Sequence, residues 1–378
     1  MHLGKVMTVF GTRPEAIKMA PLIKELKKIK DIDTVVAVTA QHREMLDQVL
    51  TLFKIKPDYD LDLMKEGQDL FEITCRVLMG MRDILEKEKP DLVLVHGDTT
   101  TTFAASLAAF YQKIPVGHVE AGLRTRNKYY PFPEEMNRTL AGSLAELHFA
   151  PTDLARENLL AESKAGFKIW VTGNTVIDAL LDTVRTDYEY GSEFENINFD
   201  KRLLLLTTHR RENWGKNMRE IYQALIELVE EFPDIEVVFP VHKNPIVRDI
   251  AVEMLQNKPG FHLLEPLDYE PFVNLMNASY MVLTDSGGMQ EEAPSLGKPV
   301  LVLRDNTERP EALQAGTVKL VGTSHKKIYH EARNLLTNNT EYEKMARAVN
   351  PYGDGKAARR IAKVVADWLY VRIGAQVH

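Results

Sequence analysis

Short apolar runs recur along the chain, and a stretch with helical spacing follows each of them. In the first half, these runs predict strands at residues 5–11, 34–40, 91–97 and 116–121. In the second half, they predict strands at residues 202–209, 236–242, 261–266, 280–285 and 299–304. Continuous apolar strands that alternate with helices are typical of parallel sheets covered by helices on both faces. The two sets predict an α/β protein with two Rossmann-like domains.

A polar segment separates the two sets of strands. Residues 186–200 are rich in aromatic and polar side chains but follow neither a helical nor a strand period, so we expect a connection there. This places the domain boundary near residues 170–200. The last segment, residues 355–371, predicts one more amphipathic helix.

Length, charge and cysteine content narrow the class of protein. A chain of 378 residues is longer than one hydrophobic core usually serves, which fits two domains. A net charge of -7 argues against nucleic acid as the main partner, because a surface that follows phosphates needs an excess of basic residues. Cys75 is the only cysteine, so we expect no disulfide within the chain. Without a signal-peptide pattern or an apolar run of transmembrane length, we expect a cytoplasmic enzyme with no membrane partner.

The stretch TDSGGMQEEAPSLGKP suggests an anion site. Ser286, Gly287 and Gly288 follow a predicted strand and open a helical stretch, where glycines let the backbone approach a phosphate closely. Glu292 lies further along, where a carboxylate can accept hydrogen bonds from ribose hydroxyls. Together these residues predict a nucleotide site. An ordinary serine N-cap followed by solvated glutamates is the structural alternative.

Cations follow the first strand of each predicted domain. Arg13 lies on the turn after Gly11, and Lys18 lies about one helical turn later, which suits a diphosphate. No G-x-G-x-x-G motif follows this strand and the chain has no Walker A motif, so this is not a dinucleotide fingerprint. His209 follows the first strand of the second domain and can donate to a phosphate or act as an acid.

Three carboxylates lie beside predicted strand ends or at a helix start, namely Asp98, Glu120 and Glu134. A charge at the end of a buried strand is costly unless it is used or paired, which favours a function for Glu120. Asp98 also suits a helix N-cap, and Glu134 could simply pair with Arg138 four residues later. Several carboxylates close together suit proton transfer on an uncharged group such as a sugar.

The remaining candidates are weaker one by one. Arg309 lies in a loop after a strand, and Phe272 lies near a helix start where a base could stack. No histidine or cysteine set has metal-ligand spacing, so we predict no metal. Because ligands bind beyond the carboxyl ends of parallel strands, we expect the site in a cleft between the two domains.

Several motifs, taken together and in order, strongly resemble the bacterial non-hydrolysing UDP-N-acetylglucosamine 2-epimerases. They are FGTRPEAIKMAPL, HGDTTTT, HVEAGLRT, PFPEEMNR, THRREN, TDSGGMQEEAPSLGKPVLVLRDNTERPEA and AGTVKLVG. The resemblance implies a glycosyltransferase-B-like fold, a homodimer and no nicotinamide or other cofactor. It implies that UDP is eliminated from UDP-N-acetylglucosamine and added back to give UDP-N-acetylmannosamine for surface polysaccharides.

The resemblance also implies domain bounds and residue roles. The N-terminal domain spans residues 1–172 and is completed by a C-terminal helix at about 357–378, while the second domain spans 173–356. The implied UDP-binding set is Arg13, His209, Phe272, Ser286, Gly287, Gly288, Glu292 and Arg309. The implied catalytic set is Asp98, Glu120 and Glu134, supported by Lys18, Arg138 and His209. Which carboxylate acts as base and which as acid stays open.

Many members of this family bind a second substrate molecule as an activator. Gln41, Arg210 and His242 resemble part of that allosteric pocket. Gly67 departs from the pattern, because an arginine is expected there in activator-dependent relatives, and Glu44 stands where a glutamine is expected.

Other functions share some of these features. A glycosyltransferase would share the fold and the nucleotide site but would need an acceptor groove, and a hydrolysing epimerase would differ only in water access. A non-catalytic nucleotide-sugar sensor could keep Ser286 and Glu292, but it would have no use for the three carboxylates.

Overall fold

A computed structural model describes residues 2–40, 43–63 and 67–376, without the side chains of residues 43, 44 and 373–376. The chain forms two compact units. The first contains Met1–Asp182 and Tyr352–His378, and the second contains Thr183–Pro351. Each unit has its own parallel sheet.

The first unit is built on a seven-stranded sheet with the order β3-β2-β1-β4-β5-β6-β7. Its strands are β1 (Gly4–Phe10), β2 (Ile32–Val38), β3 (Tyr59–Asp60), β4 (Leu92–His96), β5 (Val116–Val119), β6 (Leu147–Ala150) and β7 (Ile169–Val171). Its helices are α1 (Arg13–Lys27), α2 (Arg43–Leu52), α3 (Leu70–Glu88), α4 (Thr100–Tyr111), α5 (Glu134–Leu144), α6 (Asp153–Ala161), α7 (Thr175–Thr183) and the last helix of the chain, α15 (Ala357–Gln376).

The second unit repeats this plan with a six-stranded sheet in the order β10-β9-β8-β11-β12-β13. Its strands are β8 (Arg202–Thr207), β9 (Ile235–Pro240), β10 (Phe261–Leu264), β11 (Met281–Thr284), β12 (Val300–Val302) and β13 (Val318–Leu320). Its helices are α8 (Lys216–Glu231), α9 (Pro245–Leu255), α10 (Tyr269–Ala278), α11 (Met289–Glu292), α12 (Pro310–Ala315), α13 (His325–Thr337) and α14 (Asn339–Ala346).

The central strands are buried on both faces, which explains their unbroken apolar sequences. Val93 and Val95 on β4 and Leu204 and Leu206 on β8 have no exposed surface. Each sheet has a core cluster formed with the covering helices, such as α3 and α4 in the first unit and α8 and α13 in the second. Burial at roughly 25 cal/mol per Å² of apolar surface is the main force that holds such layers together.

All nine strands predicted from the apolar runs are present, with small shifts at their ends. Four strands were not predicted, namely β3, β6, β7 and β13, and each has only two to four residues. None of the described helices is long and apolar enough to cross a membrane.

Helix α7 belongs to the first unit, whereas the predicted boundary at residue 172 assigned it to the second domain. The reason is a cap that local sequence does not reveal. The carboxylate of Asp178 on α7 accepts the backbone N–H groups of Ala357 and Ala358, at 3.1 and 2.8 Å. Asn174 N also donates to Tyr352 O at 2.7 Å, so the returning chain joins the first unit from Tyr352 rather than from residue 357.

In each sheet, the early strands are added on one side of the first strand and the later strands on its other side. In the first unit the switch between these sides lies between β1 and β4, and in the second it lies between β8 and β11. Ligands of open parallel sheets bind beyond the carboxyl ends of the strands at such switch points. The motifs that carry the candidate chemistry follow these four strands and β5.

Candidate active site

A salt bridge joins the turn after β5 to helix α1. Lys18 Nζ lies 2.5 Å from Glu120 Oε2, and the side chains of both residues are mostly buried. Asn174 Nδ2 donates to the same oxygen at 2.7 Å. The carboxylate of Glu120 therefore has a fixed direction at the end of the sheet.

The backbone at Glu120 is unusual. Its φ of +60° lies in the left-handed region, which residues other than glycine seldom adopt. Residues with such strained backbones cluster at functional sites. His96, the last residue of β4, places Nε2 3.8 Å from Glu120 Oε2. Burial lowers the pKa of His96 to about 3, so this imidazole is neutral beside the carboxylate.

A second ion pair lies after β4. Arg138 Nη2 on α5 is 3.3 Å from Asp98 Oδ2. Burial raises the pKa of Asp98 to about 6, although the charge of Arg138 opposes the shift. Glu120, Lys18 and Glu134 also act on the charge of Asp98, so the five predicted first-unit catalytic residues form one electrostatic cluster.

The structural alternative, in which the Glu134 carboxylate only pairs with Arg138, is not what the structure shows. Arg138 binds Asp98 and lies 3.5 Å from Glu135, and it meets only the backbone oxygen of Glu134, at 3.4 Å. Glu135 is buried and accepts the backbone N–H groups of Thr125 and Arg126, which fixes it toward the core. Glu134 Oε2 is buried and has no hydrogen-bond partner among the described residues, as expected of a group intended for a ligand.

Glu15 holds two turns of the first unit together. This buried carboxylate accepts the N–H groups of Gly11 and Thr12, at 3.1 and 2.8 Å, and the hydroxyl of Thr12. It also accepts the hydroxyls of Thr99 and Thr102 beyond β4. Burial raises the pKa of Glu15, although these hydrogen bonds act to lower it. The Arg13 turn and the Asp98 turn are thereby fixed to one another.

Asp285 has the corresponding place in the second unit. It has no exposed surface and accepts the N–H groups of His209 and Arg210, at 3.0 Å each, and Asn213 Nδ2 at 3.0 Å. His209 Nδ1 lies 3.0 Å from Asp285 Oδ1, which orients the imidazole. Burial alone would raise the pKa of Asp285, but these donors hold it below its usual value.

The Ser-Gly-Gly turn follows β11 as predicted, but the helix after it is short. Helix α11 has four residues and passes into a 3₁₀ turn at Ala293–Leu296, because Pro294 has no N–H to continue it. A dipole from one turn is small, so side chains must carry most of an anion site here. Glu292 is buried, with Oε1 3.3 Å from the position of a Cβ at Gly288. Phe272 is half-buried on the neighbouring α10.

Arginines surround the middle of this turn. A Cβ at Gly287 would lie 3.9 Å from Arg210 Nη2 and 4.0 Å from Arg309 Nη2. Arg309 is held from behind by the buried Glu291, which binds its Nε. Arg210 and Arg309 therefore point their terminal nitrogens at the turn that was predicted to bind an anion.

The other predicted residues have separate places. Arg13 is half-buried in the first unit, at the start of α1. His242 stacks on His209, with ring centroids 5.8 Å apart, and its pKa is lowered by burial and by His209. Gln41 lies outside the described residues. Within residues 2–40, 43–63 and 67–376, no group of three or more histidine, cysteine, aspartate or glutamate side chains could hold a metal.

Sequence reasoning missed Glu15, Asn174, Asp285 and Glu291. Two signals were available for half of them. Thr12 and Glu15 have the spacing of a capping box. Asp285 directly follows a buried strand, as Glu120 does, and Asp98 lies two residues beyond one. Asn174 and Glu291 have no such signal, because each acts on a residue distant in sequence.

Comparison with known proteins agrees with this geometry. The family described as UDP-N-acetylglucosamine 2-epimerase matches residues 24–366. A UDP-N-acetylglucosamine 2-epimerase of Bacillus subtilis is 59% identical over 359 residues, covering 95% of this chain and 94% of the relative. A crystal structure of UDP-GlcNAc 2-epimerase from Neisseria meningitidis bound to UDP-GlcNAc is 54% identical, with a TM-score of 0.86 over 96% of this chain and 100% of that chain.

A more distant similarity concerns the fold alone. The structure of the glycotransferase of kitacinnamycin is 11% identical and has a TM-score of 0.67 over 97% of this chain and 99% of that chain. The predicted fold class, with two Rossmann-like domains of the glycosyltransferase-B kind, is confirmed. With the family match over most of its length and relatives above one half in identity, the chain belongs to the UDP-N-acetylglucosamine 2-epimerase family of isomerases.

Proposed function

We propose that this protein interconverts UDP-N-acetylglucosamine and UDP-N-acetylmannosamine. UDP leaves the sugar to give 2-acetamidoglucal and then adds back with the opposite configuration at C2. The carboxylate cluster of the first unit carries this proposal, because Asp98 and Glu120 follow neighbouring strands and each is paired with its own cation. The family match and a relative bound to UDP-GlcNAc support the choice of substrate.

The second unit holds the nucleotide in this proposal. Arg309 and Arg210 meet the diphosphate above Ser286, Gly287 and Gly288, and His209 assists its departure. Glu292 accepts the ribose hydroxyls and Phe272 lies beside the uracil. Arg13, in the first unit, stays a predicted UDP-binding residue. Charge that develops on the departing diphosphate is stabilised by donors already fixed in place, such as Arg309 on Glu291.

The first unit carries out proton transfer at C2. The C2 hydrogen is only weakly acidic, since the acetamido group does not make it alpha to a carbonyl carbon. The C1–O bond must therefore weaken first, and its electron pair leaves with UDP. A carboxylate then takes the C2 proton from the cation-like sugar, and the C–H electrons form the C1=C2 bond.

Inversion needs a second group that returns a proton to the other face of C2. With a pKa raised to about 6, Asp98 changes protonation near neutral pH and can both take and give a proton. Glu120 remains bound by Lys18 and Asn174, which fix it as the partner group. Glu134, with an oxygen unpartnered among the described residues, contacts the sugar, and Arg138 supports Asp98.

Proton NMR of the protein with UDP-N-acetylglucosamine in heavy water tests the proposal. The expected result is UDP-N-acetylmannosamine that carries deuterium at C2, without bulk loss of UDP-sugar. Free UDP together with free N-acetylmannosamine would establish the hydrolysing reaction instead. Turnover without deuterium at C2 would contradict proton transfer to a carboxylate that exchanges with solvent.

The protein acts as a homodimer in the cytoplasm in this proposal. Helices α3 and α4 pack together and keep large apolar side chains exposed, including Phe71 at 82% and Phe110 at 56%, which supports a covered surface. Sedimentation analysis tests the dimer, and a monomer at micromolar concentration would contradict it. Activation by a second substrate molecule, through Gln41, Arg210 and His242, stays a prediction.

A further inference from the structure

A carboxylate lies among the arginines of the proposed diphosphate site. Glu308 Oε2 is 3.7 Å from the position of a Cβ at Gly287, closer than either arginine there. Arg304 donates to both oxygens of Glu308, at 3.1 and 3.4 Å, and Arg210 Nη1 is 4.0 Å from Oε1. Burial alone would raise the pKa of this carboxyl, but the bonds from Arg304 and the charges of the three arginines hold it below the usual value. Glu308 is therefore ionised at neutral pH.

The three arginines differ in their other partners. Arg304 also binds Glu212, with Nε 3.3 Å from Oε1, and Arg309 also binds Glu291. Within the part of the chain that the structure describes, Arg210 has no other ion pair, and its buried Nε has no hydrogen-bond partner. All three cations thus act on Glu308, through contact or charge.

We propose that Glu308 competes with the diphosphate of UDP for these arginines and lowers the affinity of the second unit for UDP. This inference rests on the proposed function. Two anions that share the same cations repel one another, and a charge placed against a ligand's charge is a means of weakening its binding. The carboxylate and the diphosphate meet at one turn, so binding requires Glu308 to withdraw or give up its share of the arginines.

Such competition suits a reaction in which UDP is both leaving group and nucleophile. Binding UDP too tightly stabilises the state after C1–O cleavage and slows every later step, because only interactions that favour the transition state over its neighbours speed a reaction. A carboxylate built into the site holds the guanidinium groups in position while it reduces their affinity for the free nucleotide. Glu308 is therefore an affinity-setting residue rather than a catalytic one.

Calorimetric titration with UDP tests the inference on three full-length proteins. They are the wild type, Glu308→Gln and the matched control Glu212→Gln. Both substitutions remove one carboxylate from Arg304. Glu212 contacts Nε of Arg304 and is half exposed, whereas Glu308 lies beside Gly287. We expect Glu308→Gln to bind UDP about tenfold more tightly than the wild type. Glu212→Gln should change the dissociation constant by less than about threefold, as for most exposed pairs.

Other outcomes overturn the inference. Equal or weaker binding by Glu308→Gln would mean that Glu308 positions the arginines for the diphosphate, and equal tightening in both variants would mean a general effect of charge. Glu308→Ala is a second test if the glutamine variant melts at a lower temperature than the wild type. If the wild type itself shows no UDP binding, the proposed function fails, and that result differs from a normal wild type with an unchanged Glu308→Gln.

Discussion

Replacing Asp98 by asparagine should make the protein more stable at neutral pH while it strongly lowers kcat. The pKa of Asp98 lies at about 6 rather than 3.8, because burial disfavours the charge more than Arg138 favours it. Between these pH values the folded protein binds the proton more tightly than the unfolded chain. Wild-type stability therefore falls as the pH rises through this window and stays lower above it. Asparagine carries no charge and avoids this loss, while its oxygen can still accept from Arg138.

The size of the effect follows from the same shift. About two pH units at roughly 1.4 kcal/mol each give an upper bound of about 3 kcal/mol. The Asp98 side chain is 31% exposed, so solvent reduces the penalty, and we expect about 1–2 kcal/mol at pH 7.5. The gain should be about a third as large at pH 4.5, where most of the wild-type protein already holds the proton. In a unit of this size, each kcal/mol of added stability raises the melting temperature by about 2–4 °C.

Urea and thermal unfolding at the two pH values measure the gain, and the NMR assay measures turnover. Removing a group that transfers a proton should lower kcat by about 10²–10⁴-fold. Asp178→Asn is the matched control, since burial also raises the pKa of Asp178 to about 6. Its carboxylate caps α15, and an amide would turn an N–H group toward one of the two donors. This variant should lose about 1 kcal/mol without a comparable loss of kcat.

Equal or lower stability of Asp98→Asn at pH 7.5 would refute the reasoning, as would a gain that does not depend on pH. Either result would mean that the ion pair with Arg138 outweighs the cost of burying the charge. Retention of full turnover would remove Asp98 from the proposed proton transfer.

Three further predictions concern the two switch points. Gly288 has helical φ and ψ, so Gly288→Ala should fold normally, but its Cβ would lie 3.3 Å from Glu292 Oε1 and should raise the calorimetric Kd for UDP by about tenfold. Asp285→Ala removes the acceptor of three donors, namely the N–H groups of His209 and Arg210 and Asn213 Nδ2, and should destabilise the second unit by about 3 kcal/mol in urea unfolding. Lys18→Met removes the cation that orients the Glu120 carboxylate. It should lower kcat at least about tenfold, because the carboxylate loses its fixed direction, and it should change the affinity for UDP little. An unchanged Kd of Gly288→Ala, an unchanged urea midpoint of Asp285→Ala or a loss of UDP affinity in Lys18→Met would contradict the respective prediction.

The apolar runs predicted the central strands because burial on both faces leaves an unbroken signal in the sequence. Strands β1, β4, β8 and β11 lie where this signal placed them, and their carboxyl ends carry the candidate residues. Three of the four strands that were not predicted, β3, β7 and β13, lie at sheet edges and gave no comparable signal. Strand β13, for example, has three residues and only Val318 is buried, so its pattern does not differ from that of a loop.

The partners of the candidate residues were harder to predict than the residues themselves. Arg138 lies near Glu135 of its own helix, as helical spacing allows, but it also pairs with Asp98 forty residues earlier in the chain. Helical spacing describes which side chains can meet along one helix, but not which distant strand end is brought alongside it. The same limit applies to Asn174, whose contact with Glu120 depends on the fold of α7.

The two inward carboxylates, Glu15 and Asp285, have a consequence for what these domains can evolve to bind. Each accepts two backbone N–H groups in the turn after the first strand of its sheet. Glu15 accepts those of Gly11 and Thr12, and Asp285 accepts those of His209 and Arg210. In dinucleotide-binding relatives of this architecture, those groups receive the pyrophosphate. A design that aims at nicotinamide binding would first have to replace these two carboxyl groups, because a glycine-rich loop alone would leave its N–H groups bonded to them rather than to the incoming phosphate. Glu15 and Asp285 thus occupy, with two buried carboxyl groups, the N–H groups that this class of cofactor would use for its pyrophosphate.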